Sequence, residues 1–138
     1  MLRVVLDTNV LVSAFISREG ASFELVRRVG LAAGLKPILS VPLVLEYEAA
    51  LKQRFGASDA RIEPVLDCLC LVGERREIFF LWRPFLRDPG DEMVLEVAVG
   101  AGVSTIVTHN IRDFAGVQER FGIRVATPGE VLVELEQP

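Results

Sequence analysis

The sequence predicts an α/β fold in which a mostly parallel central sheet is flanked by helices, and three observations indicate this class. The chain has 138 residues, the length of one domain. Hydrophobic residues make up 51% of it, which excludes intrinsic disorder and is enough for one core. Short Val-rich runs alternate with helical patterns, as in successive βα units. We therefore expect residues 1–138 to form a single α/β/α domain.

The first predicted strand ends at a run of capping residues. Residues 2–6 are nearly all apolar, which is typical of a strand buried on both faces. Asp7, Thr8 and Asn9 follow, and because such side chains favour helix N-termini, a helix is expected over residues 10–16. Further along the first half, the pattern predicts helices at residues 21–33, 43–54 and 58–71 and strands at residues 37–39 and 77–81.

The second half of the chain repeats the alternation. The pattern predicts a helix over residues 91–100 and strands over residues 104–108 and 122–125. Thr127 is followed by a proline and, at the third helical position, by Glu130, which is the pattern of a capping box. A final helix is therefore expected to begin there and to continue through Leu135.

Charge and cysteine content limit the expected partners and compartment. Lys and Arg number 15 and Asp and Glu number 19, so the net charge is −4. An acidic chain is not suited to coating duplex nucleic acid, and activity on nucleic acid requires a local site. Cys68 and Cys70 stand two apart on a predicted helix, where side chains diverge, so we expect buried, reduced thiols and a cytoplasmic protein. No apolar run reaches the ~20 residues of a membrane span.

Polar side chains follow two of the predicted strands. Asp7 comes directly after the first strand, and Thr108 and Asn110 lie at the end of the strand predicted over residues 104–108. Ligands of an open parallel sheet bind outside the carboxyl ends of its strands. Three helical acids can face the same crevice, namely Glu46, Asp88 and Asp91. Carboxylates gathered in one place need a cation, and oxygen-only ligands select Mg²⁺ or Mn²⁺.

Each acid also has a structural explanation, and these alternatives stay open at this point. Asp7 can simply cap the helix that follows it. Glu46 can be a solvated charge beside another glutamate on its helix. Asp88, Asp91 and Asp113 can serve as turn and capping residues. Taken one at a time, these acids do not indicate a function, and only their order along the chain is specific enough to do so.

That order resembles the PIN-domain ribonucleases, in particular the toxins of prokaryotic toxin–antitoxin pairs. The resemblance covers nearly the whole chain and is carried by four segments. They are residues 4–13 (VVLDTNVLVS), 40–47 (SVPLVLEY), 87–98 (RDPGDEMVLEVA) and 106–114 (IVTHNIRDF). The resemblance implies a PIN-like α/β/α domain with a set of metal-binding acids.

The resemblance also implies roles for particular residues. It places Asp7, Glu46 and Asp91 on the metal-binding acids of the family. Many members carry Asp where this chain has Asn110, so either Asn110 or Asp113 fills the fourth ligand position. The implied catalytic set is therefore Asp7, Glu46, Asp91 and Asp113, with Asn110 as a further metal ligand. The candidate accessory residues are Asp88, Thr8, Asn9 and Thr108.

The activity implied by the resemblance is metal-dependent cleavage of single-stranded RNA, with Mg²⁺ or Mn²⁺ activating the attacking water. The implied partners are the RNA substrate, a cognate antitoxin protein and a second copy of the chain in a homodimer, with no membrane. The alternative is a catalytically weak PIN-fold binding module that acts through protein partners. It stays open because Asn110 is a neutral amide where many members have a carboxylate. A nucleotide-binding domain is disfavoured because no Gly-rich loop follows the first strand.

A few other side chains have an expected place. His109, the only histidine, is expected at the edge of the site. Six basic residues are candidate phosphate contacts or solvated surface charges, namely Arg18, Arg27, Arg28, Lys52, Arg54 and Arg112. An aromatic cluster is expected mostly in the core, with a part at an interface. Its members are Phe79, Phe80, Trp82 and Phe85.

Overall fold

The computed structural model describes residues 1–77, 84–102 and 105–137. Within these ranges, five parallel strands form the sheet: β1 (Leu2–Leu6), β2 (Leu35–Leu39), β3 (Glu74–Arg75), β4 (Thr105–Val107) and β5 (Arg124–Ala126). The helices are α1 (Thr8–Ile16), α2 (Ala21–Arg27), α3 (Val41–Phe55), α4 (Ile62–Val72), α5 (Pro89–Ala101), α6 (Val117–Phe121) and α7 (Pro128–Glu136). A 3₁₀ turn covers Ile111–Phe114. The predicted α/β class with a parallel sheet is confirmed.

The strand order creates a crevice beside β1. The order is β3-β2-β1-β4-β5, so the chain first extends the sheet from β1 through β2 to β3 and later returns to the other side of β1. Ligands of open parallel sheets bind at such a reversal, outside the carboxyl ends of the two strands. The β1–β4 register pairs Leu6 with Val107. The next residue of each strand, Asp7 and Thr108, therefore lies at the crevice.

The end of β1 is fastened to α3 inside the core. Residues 4–6 are fully buried, and so are Leu43, Tyr47 and Leu51, which recur along one face of α3. The Tyr47 hydroxyl donates a hydrogen bond to the carbonyl oxygen of Leu6 over 2.5 Å. A buried carbonyl is thus satisfied, and the first half of α3 is held against the end of β1.

The second helix is shorter than the sequence predicts. It ends at Arg27 rather than at residue 33, because the chain turns through residues 28–34 to enter β2. Gly30 has a φ of 83°, and a Cβ on Gly34 would lie 1.9 Å from the carbonyl oxygen of Arg28. Two positions that only glycine can occupy therefore form this turn, although the apolar pattern continues through it.

Other differences concern short elements. β3 lies at Glu74–Arg75, ahead of the strand predicted at 77–81, of which residues 78–81 fall outside the described residues. Residue 104 and the aromatic residues 79, 80 and 82 also fall outside them. The sequence pattern does not predict α6, because five residues are too few to display a helical period. The capping box at Thr127 is confirmed, with both of its hydrogen bonds present.

The prediction that the cysteines are buried is wrong. Cys68 and Cys70 are both exposed. Helix α4 buries Ile62, Leu66 and Leu69, which lie on one helical face, and positions 68 and 70 lie outside that face.

None of the helices in the described ranges is long and apolar enough to cross a bilayer.

Candidate active site

Asp7 is fixed at the carboxyl end of β1 by both of its carboxylate oxygens. Its Oδ1 accepts a hydrogen bond from the backbone N–H of Thr8 at 2.9 Å, and its Oδ2 accepts one from the Thr108 hydroxyl at 2.7 Å. Its own N–H donates to the carbonyl of Val107 at 2.9 Å, which extends the β1–β4 pairing by one residue. Asp7 is the N-cap of α1 and is only 6% exposed. The capping explanation is therefore correct, and it leaves the carboxylate in the crevice.

Thr108 is the centre of the polar network around Asp7. Its hydroxyl is fully buried and, besides donating to Asp7, accepts from the Asn9 side-chain amide at 3.3 Å and from the Asn110 N–H at 3.0 Å. The Asn9 side-chain oxygen in turn accepts from the N–H of His109 at 3.3 Å. These bonds join α1 to the loop that follows β4, so Asn9 and Thr108 position the carboxylate of Asp7.

His109 lies at the edge of this network, as the sequence predicts. Its side chain is exposed, and its Nε2 shares a 2.6 Å hydrogen bond with the hydroxyl of Ser22, a buried residue in the first turn of α2. The bond ties the loop after β4 to a second helix. Sequence reasoning does not identify Ser22, because its position 87 residues away gives no local signal.

Helices α3 and α5 bring further acids to the crevice. Asp88 caps α5 and accepts from the Gly90 N–H at 2.7 Å. A Cβ on Gly90 would lie 3.1 Å from Asp88 Oδ1 and 3.9 Å from Glu46 Oε1. The carboxylate of Glu46, carried by α3, therefore lies beside the first turn of α5, which also contains Asp91. The partial positive charge of a helix N-terminus favours carboxylates there.

Asp91 carries the clearest electrostatic sign that the acids converge. Burial is the main cause that raises its pKa to about 7, and the negative charges of Asp7, Asp88 and Asp113 raise it further. No single helix holds these four acids, which come from the end of β1, from the N-terminus of α5 and from the 3₁₀ turn that follows β4. The effect of their charges on one another indicates that they lie close together.

The pKa of Asp7 is raised as well. Burial is again the largest cause, while the hydrogen bonds from Thr108 and Thr8 act in the opposite direction. The charges of Asp113 and Asp88 add to the increase. A carboxylate that is costly to ionise, yet held by two hydrogen bonds, is typical of a functional site.

The structure places Asn110 and Asp113 differently. Asn110 precedes the 3₁₀ turn and its side chain does not cap that turn. Asp113 lies within the turn, is exposed, and its charge acts on both Asp7 and Asp91. Asp113 is thus electrostatically coupled to two of the other acids, whereas Asn110 is neutral and cannot show such coupling, so the choice between them for the fourth ligand position stays a prediction.

Three of the acids, Asp88, Asp91 and Asp113, line a cleft of about 440 Å³ between the start of α5 and the 3₁₀ turn, and Asp7 and Glu46 are not part of its lining. Its lining includes Phe85, Arg87, Asp88, Asp91, Arg112 and Asp113. Behind the cleft, the buried Glu92 accepts hydrogen bonds from the backbone N–H groups of Phe85 and Leu86, at 3.1 and 2.7 Å. The sequence analysis does not identify Glu92. The only signal for it is that neighbouring residues on a helix point to different sides, so Glu92 and Asp91 cannot both face the cleft.

The acids match a divalent cation in their chemistry. Asp7, Glu46, Asp88, Asp91 and Asp113 offer only oxygen ligands, which suit Mg²⁺ and Mn²⁺. Burial and the neighbouring negative charges raise the pKa values of Asp7 and Asp91, and a cation would stabilise the ionised form of both groups. Over residues 1–77, 84–102 and 105–137, no group of three or more His, Cys, Asp and Glu side chains is already arranged to hold a metal ion.

The sequence profile of one protein family, described as the PIN domain, matches residues 3–112. This chain belongs to the PIN-domain family. The matched range contains β1, α3, α5 and β4 and stops one residue before Asp113. PIN domains are typically nucleases, and PIN nucleases generally use divalent metals. No curated protein matches the chain.

We expect this PIN domain, in the absence of metal, to lose stability as the pH rises from about 4 to about 7. Below this range Asp91 is protonated in both the folded and the unfolded states. Within it the unfolded state ionises while the folded state keeps the proton, so rising pH favours unfolding. Above about pH 7 both states are ionised and the loss is complete. Solvent screens this half-buried group, and with that screening the free energy of unfolding falls by about 1–2 kcal/mol.

Thermal melting in chelator checks this expectation. Asp91→Asn should flatten the decline and melt several degrees above the wild type at about pH 8. Asp67→Asn makes the same chemical change at an exposed position of α4 and should behave as the wild type. Equal pH profiles for the wild type and Asp91→Asn would contradict the assignment of a raised pKa to Asp91.

Proposed function

We propose that this PIN domain is a divalent-metal-dependent endoribonuclease that cleaves single-stranded RNA. The observation that carries the proposal is the convergence of Asp7, Asp88, Asp91 and Asp113 at the reversal point of the sheet, where burial and, to a smaller extent, the charges of neighbouring acids raise the pKa of Asp7 and of Asp91. The carboxylate of Glu46 lies beside the same helix N-terminus. Membership of a family of nucleases supports hydrolysis of nucleic acid as the reaction.

In this proposal Asp7, Glu46, Asp91 and Asp113 hold Mg²⁺ or Mn²⁺. The bound ion supplies activation of water and neutralisation of charge at the phosphodiester. Thr108 and Asn9 keep the Asp7 carboxylate in the crevice through the hydrogen bonds described above. The acids repel the RNA phosphates as long as their charge is uncompensated, so chelation should stop both cleavage and productive binding.

The biological role that we propose is that of the toxin in a toxin–antitoxin pair. It is supported by the resemblance of four segments of the chain to such toxins, and it implies a cognate antitoxin protein, a homodimer and a cytoplasmic location. A neighbouring gene for a small DNA-binding protein would support this role. The absence of any growth effect when the active chain is expressed alone would count against it.

A Mg²⁺ titration with paired glutamate variants tests the metal site. The ion should enable RNA cleavage and raise the melting temperature, since a ligand bound only by the folded state stabilises it by ~2.7 kcal/mol at 100 times its Kd. Glu46→Gln should reduce both effects. Glu48→Gln, on the same helix but paired with Lys52 on the exposed side, should change neither.

The outcomes of this titration separate the two candidate functions. Equal melting shifts for the wild type and Glu46→Gln would remove Glu46 from the site. Neither cleavage nor a melting shift for the wild type, in Mg²⁺ or in Mn²⁺, would favour the alternative of a binding module that acts through protein partners.

A further inference from the structure

Phe85 presents an aromatic ring to the acidic cleft. The sequence predicts it mostly in the core, but it is 39% exposed and lines the cleft together with Asp88, Asp91 and Asp113. A single exposed aromatic residue is common on proteins and indicates nothing by itself. What distinguishes Phe85 is the way it is held and the charges beside it.

Two contacts fix the ring of Phe85, and a third fixes its backbone. It meets Phe121 edge to face, with 5.2 Å between the ring centroids and 82° between the planes. Its Cζ lies 3.1 Å from the position of a Cβ on Gly116, whose φ is 85°, so a glycine allows the ring to approach there. Its backbone N–H donates to Glu92 at 3.1 Å. A ring fixed in this way can receive a ligand with little loss of side-chain entropy.

Two cationic side chains line the same cleft. Arg87 and Arg112 are exposed, and neither forms an ion pair with any residue that the structure describes. Arginine binds phosphate through paired N–H groups and is a frequent phosphate contact. The cleft thus places an aromatic face and two available cations next to the carboxylate cluster.

We propose that Phe85 is a stacking platform for one unpaired base of the RNA strand, with Arg87 and Arg112 contacting the phosphates that flank this base. The inference rests on the proposed function and specifies how its substrate is recognised. Bases within a duplex stack on one another and cannot offer a free face, so the platform selects single strands. Every base has such a face, so it imposes little sequence preference.

Binding of a fluorescent single-stranded RNA of about ten nucleotides, followed by anisotropy in Mg²⁺, tests the platform. Asp7→Asn is the parent chain, because it should hold the strand without cleaving it. Adding Phe85→Leu should weaken binding roughly 5- to 150-fold, the range for losing one stacked base. Phe85→Tyr and Phe85→Trp should retain binding. Phe23→Leu removes a ring from the groove between α1, α2 and α4 and is the matched control.

An abasic nucleotide moved along the strand identifies the stacked base. The parent should lose affinity at one position, and the Phe85→Leu chain should not respond at that position because it already lacks the interaction. Melting temperatures establish that each variant is folded. If Phe85→Leu does not fold, Phe85→Trp replaces it in the scan: its larger stacking surface should deepen the loss at that one abasic position, and a scan identical to that of the parent would overturn the platform.

The outcomes distinguish this inference from the proposed function. Unchanged binding by Phe85→Leu, or no strand binding by the parent, overturns the platform. If the wild type cleaves RNA but binding does not depend on Phe85, the proposed nuclease function is supported and the stacking role of Phe85 is contradicted. If binding depends on Phe85 but the wild type does not cleave RNA in Mg²⁺ or Mn²⁺, the stacking role is supported and the proposed nuclease function is contradicted.

Discussion

The Asp7→Asn chain is expected to lose metal-dependent RNA cleavage by more than about 100-fold, because replacing even an outer-shell partner of a metal ligand costs roughly 10–100-fold. An amide keeps one oxygen but loses the negative charge. It can also accept only one of the two hydrogen bonds that Asp7 receives, from Thr8 and from Thr108. Cleavage rates at saturating Mg²⁺ measure the effect.

The same substitution should leave the protein folded. The lost hydrogen bond is offset by removal of a carboxylate that burial makes costly to ionise, so the melting temperature should move by a few degrees only. Asp67→Asn on the exposed side of α4 is the matched control and should cleave normally. Cleavage by Asp7→Asn at the wild-type rate would show that the acidic cluster is not the active site.

A large effect on both stability and activity is expected for Thr108→Val. Valine has nearly the same shape, but it leaves Asp7 Oδ2, the Asn9 amide and the Asn110 N–H without the hydroxyl that joins them. Asp7 is buried and the two asparagine groups are in part exposed to solvent, so the three unsatisfied groups cost about 2–4 kcal/mol together. The melting temperature should fall by roughly 10 °C and cleavage by about 10–100-fold.

Two further threonine variants show whether the hydroxyl is responsible. Thr108→Ser retains the hydroxyl and should recover most of the stability and activity. Thr105→Val makes the same change three residues earlier, at a buried residue whose hydroxyl has no hydrogen bond in the described part of the chain, and should be nearly neutral. Equal losses for Thr105→Val and Thr108→Val would indicate that β4 tolerates no valine, and would remove the network as the cause.

Local chemistry predicts much of the framework that holds these residues. The apolar run of β1, its end at Asp7 and the start of α1 depend on near neighbours only, and so does the capping box at Thr127. The acids of the cluster also follow from position, because the carboxyl ends of parallel strands must meet at one edge of the sheet. The alternation of strands and helices along the chain is enough to predict that Asp7 and Thr108 lie at this edge.

Contacts between distant residues decide what the sequence could not. The exposure of Cys68 and Cys70 depends on which face of α4 meets the core, and the early end of α2 depends on the close approach of residues 28 and 34. The early end of α2 leaves no mark in the apolar pattern, which continues through the turn, whereas the recurrence of Ile62, Leu66 and Leu69 does mark the buried face of α4. Glu92 likewise leaves no mark, since its role depends on the backbone that packs against it.

The sequence by itself thus determined the fold class, the carboxyl-end position of the acids and the types of ligand that they offer, because these depend on periodicity, capping and the geometry common to all parallel sheets. The tertiary structure alone decided that Asp113 acts on Asp7 and Asp91, that Thr108 orients Asp7, and that Phe85 faces the cleft instead of the core. Electrostatic repulsion and hydrogen bonding fall off within a few ångströms. They therefore depend on distances that are set only when elements far apart in the chain pack together.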